Sequence, residues 1–181
     1  MKLRHSILAL SLIGLSAHSN SANYSYVEVG AGASQLHSFD KTDNENLSDL
    51  SLGGAGKAIV GGRIGRSANA WFELGYNYNN GISYQDFSMD SQTILAGIKL
   101  TTNPSSGFSS FLKAGVARSE YSYHTTGQAS DTEFKNLGYA GLGLSFRLDT
   151  RQAINLEVQR FIEKGTATGL NSVFFTFKHS I

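Results

Sequence analysis

The sequence reads as an all-β chain, an eight-stranded antiparallel up-and-down transmembrane β-barrel. Three features carry that reading: apolar residues alternate with period two, connections alternate in length, and the second face of each strand holds glycines with sparse charge. The composition agrees. Gly occurs 20 times and Pro once, with 11 Phe, 8 Tyr and 1 Trp, a mixture that favours strands and tight turns over helices. Cysteine is absent, which excludes disulfides, thiolate metal sites and a Cys nucleophile.

The alternation predicts strands near 24–34, 57–65, 70–78, 90–100, 108–119, 136–148, 153–162 and 171–180. In the first, Val27, Val29, Ala31 and Ala33 oppose Glu28, Gly30, Gly32 and Ser34. The second is the least regular, Ala58, Val60, Gly62 and Ile64 against Lys57, Ile59, Gly61 and Arg63, and the turn-like Arg66-Ser67-Ala68-Asn69 supports it. In the third, Phe72, Leu74, Tyr76 and Tyr78 oppose Trp71, Glu73, Gly75 and Asn77. Ile94, Ala96, Ile98 and Leu100 then oppose Thr93, Gly97 and Lys99, and Leu112, Ala114 and Val116 oppose Lys113, Gly115 and Ala117. Leu142, Leu144, Phe146 and Leu148 oppose Gly141, Gly143, Ser145 and Arg147. Ile154, Leu156 and Val158 oppose Asn155, Glu157 and Gln159, and Val173, Phe175 and Phe177 oppose Thr176 and Lys178. Most segments reach the ~9–11 residues that a tilted strand needs to cross a bilayer.

The odd connections, 35–56, 79–89, 120–135 and 163–170, are predicted as longer external loops, and 66–69, 101–107 and 149–152 as short turns. An even strand count puts both termini on one side, expected to be periplasmic. Ahead of the strands, Lys2 and Arg4 precede the apolar run from Ile7 to Leu15, followed by small and polar residues ending at Ser21-Ala22. This is the order of a secretory signal peptide, and the run is far short of the ~20 residues of a spanning helix. Residues 1–22 are therefore expected to be the leader and 23–181 the barrel, with cleavage after Ala17 as the rival. Removing Lys2 and Arg4 leaves 13 basic against 14 acidic residues, no excess that would suit a nucleic acid.

The apolar face is expected to meet lipid. Its opposite carries glycines and isolated charges of both signs, which suits a narrow interior where buried charges must pair. Aromatics near strand ends, Tyr24, Tyr26, Tyr76, Tyr78, Phe108, Tyr121 and Tyr123, are expected to form interfacial girdles. The inverse arrangement, a soluble lipocalin-like barrel with the apolar face inside, is the rival.

The run Gly61-Gly62-Arg63, then Trp71-Phe72-Glu73-Leu74-Gly75-Tyr76, resembles a strand pair of the OmpA-like and OmpX-like small outer-membrane barrels. Leu95-Ala96-Gly97-Ile98-Lys99-Leu100 with Leu112-Lys113-Ala114-Gly115 is similar to the next hairpin of that family. Gly141-Leu142-Gly143-Leu144-Ser145-Phe146 with Asn155-Leu156-Glu157-Val158-Gln159 is similar to the one after. The resemblance covers 24–181 and implies an interior charged network to which Glu73, Lys99 and Glu157 would belong. Arg63, Lys113 and Lys178 are partners suggested by face alone. Structural glue is the expected role, and a gate in a narrow pore is the alternative. The family usually ends on Phe where this chain has Ile181, and the peptidoglycan-binding domain of full-length OmpA-type proteins is expected to be absent.

Three His follow the leader: His37, His124 and His179. Some eight-stranded outer-membrane barrels modify lipid A with a His/Ser site, and His124 has Ser119, Ser122 and Glu120 nearby in sequence, but no spacing fixes such a site. Asp40, Asp43, Glu45 and Asp49 in the first loop lack the calcium-loop pattern and read as a solvated loop. Gly53-Gly54-Ala55-Gly56 is no phosphate-binding fingerprint. No enzyme activity, cofactor or metal is expected. The expected role is structural or adhesive, through loops 35–56, 79–89 and 120–135. The expected partners are outer-membrane lipid and lipopolysaccharide, the barrel-assembly machinery and a host or surface ligand, with the protein a monomer.

Overall fold

A computed structural model describes residues 25–37, 52–65, 69–84, 87–102, 107–125, 130–163 and 169–181. Eight strands follow in chain order: β1 (Ser25–His37), β2 (Gly53–Arg63), β3 (Ala70–Tyr84), β4 (Phe87–Thr101), β5 (Phe108–Thr125), β6 (Asp131–Arg147), β7 (Gln152–Glu163) and β8 (Gly169–Ser180). Each pairs antiparallel with the next, and β1 closes on β8 from Tyr26↔Ser180 to His37↔Gly169, so no sheet edge stays open. Closure matters because hydrocarbon offers no hydrogen bonds, and only a closed ladder gives every strand backbone a partner. Residues 1–22, Tyr24 and the acidic residues of the first connection lie outside the described residues.

The side chains sort as the alternation requires. Ile94, Leu112, Val116, Leu142 and Phe175 point outward with 60% or more of their surface exposed, whereas Glu28, Glu73 and Glu157 are 0% exposed inside. A soluble barrel would show the reverse, so the lipocalin-like arrangement is overturned. The outward band is bounded near the termini by Phe108 and Phe146, directly paired across β5 and β6 with ring centroids 5.1 Å apart. Toward the other end it gives way to polar side chains, where the Tyr76 hydroxyl donates to Gln92 Oε1 at 3.1 Å.

Three expectations need correction. The segments 79–89 and 120–135 are not mainly loops: β3 and β4 run to Tyr84 and from Phe87, and β5 and β6 run to Thr125 and from Asp131. The two ribbons continue because their inward positions stay filled, by Ile82, Met89 and Tyr121, after the outward ones turn polar. The alternation was hidden by a β-bulge. Asn79 pairs with Ser91 but Ile82 with Met89, so β3 carries an extra residue and its inward positions change from odd to even. Gly81 sits in the bulge at φ 71°, a left-handed conformation that costs little without a Cβ, and its N–H donates to Asp90 Oδ1 at 3.0 Å. Finally, Tyr26 and Tyr121 are buried in the lumen and Tyr123 packs on the interior cluster that holds Tyr121, so none of the three is a girdle residue. The parity of their strands turns them inward. Tyr76, Tyr78 and Phe108 do point outward.

Candidate functional site

Strand parity delivers six charges to one level of the lumen: Glu28 from β1, Lys57 from β2, Glu73 from β3, Lys99 from β4, Lys113 from β5 and Glu157 from β7. Glycines on the same inward face leave room for the long stems. Lys57 Nζ lies 2.5 Å from Glu157 Oε1. Lys113 Nζ stands between three carboxylates, 3.0 Å from Glu157, 3.2 Å from Glu73 and 3.7 Å from Glu28. Lys99 Nζ lies 3.4 Å from Glu28 and 3.8 Å from Glu73. Three ammonium groups thus meet three carboxylates, and the cluster carries no net charge. That balance is what makes such burial tolerable, because an uncompensated ion in a low-dielectric interior is far costlier than a paired one.

Neutral groups complete the shell. The Tyr26 hydroxyl donates to Glu73 Oε1. Thr176 Oγ1 donates to Glu28 Oε1 at 2.9 Å and receives Asn155 Nδ2 at 3.1 Å. Lys57 and Asn77 both donate to Gln159 Oε1, each at 3.3 Å. Aromatic faces take up the sides of the lysines: Lys99 lies 4.2 Å from the Phe111 ring centre and Lys57 4.8 Å from that of Phe174.

The structure therefore brings together four of the six residues singled out in the sequence, Glu73, Lys99, Lys113 and Glu157. It sets the other two apart. Lys178 lies over Tyr26 and Trp71, 4.3 and 5.0 Å from the ring centres, and takes no part in the six ion pairs. Arg63 is half-buried at the turn end of β2, opposite Trp71, also outside those pairs. Glu28 and Lys57 complete the cluster. Glu28 was legible on the glycine face of its strand, while Lys57 stood on the one segment whose faces were poorly separated.

Beyond the charged level the lumen is filled. On β3, β4, β5 and β7 a buried apolar residue lies farther from the termini than the charge: Leu95 beyond Lys99, Ala117 and Tyr121 beyond Lys113, Phe161 beyond Glu157, and Ile82 beyond Glu73. With Met89, Leu137, Tyr139 and Leu170 they form one buried cluster. Below the charges Tyr26, Ile59 and Trp71 form a second. Among the described residues no group of three or more His, Cys, Asp or Glu is arranged to hold a metal ion, and the three lumen carboxylates close on Lys113 instead.

On the outer surface, at the far end of β4 and β5, His124 meets neither Ser119, Ser122 nor Glu120. Its Nδ1 is 2.9 Å from Ser130 Oγ, and its Nε2 is 3.9 Å from Asp90 Oδ2. His124 and Asp90 are exposed.

The model of the outer membrane protein beta-barrel domain family matches residues 6–178. Among solved structures, Neisserial surface protein A is similar at 12% identity with a TM-score of 0.70, over 90% of this chain and all of that one. The N-terminal barrel of Pseudomonas aeruginosa OprF gives 9% and 0.61, over 87% of this chain and 99% of the other. The attachment invasion locus protein Ail of Yersinia pestis gives 10% and 0.59, over 87% and 97%. At such identities the likeness is one of fold. Comparison with curated proteins gives no match.

Proposed function

From the premise that this chain belongs to the outer membrane protein beta-barrel domain family, we propose that it is a display barrel, a filled scaffold that holds two β-ribbons outside the cell for contact with a surface partner. The observation that carries this reading is the pairing of a sealed lumen with strands β3–β6 of 15, 15, 18 and 17 residues, against 11–13 in the others. The surplus length lies beyond the outward apolar band, at the end opposite the termini. Rigid ribbons present side chains at little ordering cost, a usual requirement of a binding surface. In this reading residues 1–22 are a leader removed on export, both termini face the periplasm, and the barrel-assembly machinery inserts a monomer.

The ribbon ends carry Asp90, Glu120, Asp131 and Glu133 with Lys135 and His124. That balance suits a neutral or basic partner. It does not suit a sulfated sugar such as the heparin analogue sucrose octasulfate in a structure of Ail. The chain has no cysteine, so a single Ser122→Cys variant can be labelled cleanly. A membrane-impermeant maleimide should label it on intact cells. Cells whose β5–β6 ribbon is shortened should lose adherence to the surfaces that wild-type cells bind. Failure of the Ser122→Cys variant to label, or undiminished adherence, would count against display.

One observation favours a second reading. Ser130, His124 and Asp90 lie in the order of a nucleophile, a base and an orienting acid. The 3.9 Å to Asp90 exceeds hydrogen-bond reach and the His and Asp side chains stand in water, so display is preferred.

A further inference from the structure

The outward wall is not evenly covered. Across β4, β5 and β6 the paired positions Ala96, Val116 and Gly138 form a shallow row, and the next row outward is Ile94, Arg118 and Asn136. Together they line an open groove of about 520 Å³ whose floor is the strand backbone near Ala96 and Gly138. Its inner reach is apolar and continuous with the membrane-facing band. Its outer rim is a guanidinium and an amide.

Arg118 is the anomaly in this groove. It points outward at the boundary where the apolar band ends, with its guanidinium carbon 5.6 Å from the Phe134 ring centre. Among the described residues no carboxylate comes within 4.0 Å of it, although Glu120 stands two positions farther along the same face. A cation–π contact occupies none of the N–H donors, so the fork keeps them for an acceptor. Such a charge at a membrane boundary calls for an anion from outside the chain.

The geometry points to a specific lipid site: one acyl chain of a phosphorylated outer-leaflet lipid lies in the Ala96–Gly138 trough while its phosphate takes two hydrogen bonds from Arg118. The inference rests on the display reading, in which this end of β4–β6 faces outward. Lipid tails are as apolar as the wall, so the trough does not choose between lipids but seats the chain so that the headgroup meets Arg118. Preference arises at the rim, where Arg matches a phosphate with two parallel donors. A headgroup without a phosphate gains nothing there.

The test is native mass spectrometry of the whole barrel extracted with bis-phosphorylated lipid A or with the same lipid A stripped of its phosphates. One bis-phosphorylated lipid A should survive collisional activation on the wild type and the dephosphorylated form should not. Arg118→Gln should reduce retention by about tenfold or more, as loss of a charged hydrogen-bonding group does. Gly138→Leu, which fills the trough but keeps the charge, should reduce it too, and Arg118→Lys should restore part. Each variant must keep its heat-dependent shift on SDS gels, which reports the closed fold. Equal retention of both lipids, no effect of Arg118→Gln, or a second copy of the chain on this face in place of lipid would each overturn the site. Labelling of the Ser122→Cys variant on cells reports orientation separately. Lost labelling sinks the display reading, whereas labelling without lipid retention sinks only the lipid site.

Discussion

Lys57 and Glu157 meet at 2.5 Å across the lumen, from β2 and β7, strands that share no edge. Backbone pairing holds each strand only to its two neighbours. The ion pair adds a tie through the middle, and Lys113 extends it to Glu73 and Glu28.

Breaking that tie on one side leaves a buried charge without its partner. Lys57→Met and Glu157→Gln should each destabilise the barrel by about 3–5 kcal/mol, measured by urea unfolding in lipid vesicles. Glu157→Gln should be the worse, since Glu157 also faces Lys113. The double variant retains Lys99 and Lys113 against Glu28 and Glu73, a balanced set. It should recover much of the loss, and simple addition of the two single costs would contradict the charge-balance account.

Tyr26 and Gly61 give a second test, because they are direct cross-strand partners and the tyrosine ring lies over the glycine. A Cβ at Gly61 would meet the Tyr26 ring before anything else. Gly61→Ala should therefore cost about 1–3 kcal/mol through overpacking. In a Tyr26→Ala background the same change should cost little, a coupling of about 0.5–3 kcal/mol in a double-mutant cycle. An unchanged cost would place the strain in the backbone instead.

These two relationships also show what the sequence could reveal. Period two assigned the faces of all eight strands, and face alone placed Glu73, Lys99, Lys113 and Glu157 inside, because register cannot slip by one residue without inverting every side chain. It could not show which inward charges stand at the same height. That depends on stagger between strands, and Lys178, on the same face, lies over Tyr26 and Trp71 and outside the six ion pairs. Nor could it show the bulge at Gly81, where one extra residue reverses parity and makes a paired ribbon look like a loop. Tyr26 and Tyr121 were misplaced for a related reason: aromatic residues near strand ends suit a girdle and a lumen plug equally, and only strand parity decides.

The plug itself predicts silence in conductance. Leu95, Leu137, Tyr139, Phe161 and Leu170 belong to one buried cluster beyond the charged level, and Tyr26, Ile59 and Trp71 close the other end. An eight-stranded barrel encloses little more than its own side chains. Planar bilayers holding the wild type should show no stepwise current. Steps that disappear when Glu73 or Lys113 is replaced would instead support the gated pore.

His124 carries the last prediction. A serine hydrolase needs its base held against the hydroxyl, its orienting acid within hydrogen-bond reach, and donors for the oxyanion in a site that excludes water. The outer face of β4 and β5 supplies the first, with Ser130 Oγ 2.9 Å from Nδ1, but Asp90 stands off at 3.9 Å and the imidazole is half exposed. An imidazole so exposed exchanges its bonds with solvent, and its contacts add little to stability. His124→Ala should therefore leave the heat-dependent gel shift unchanged, together with the acyl-chain pattern of lipid A from cells expressing the protein, read by mass spectrometry. If wild-type cells yield lipid A lacking a chain that His124→Ala cells retain, with Ser130→Ala matching the His variant, the rim is a catalytic site and the ribbons serve to present it.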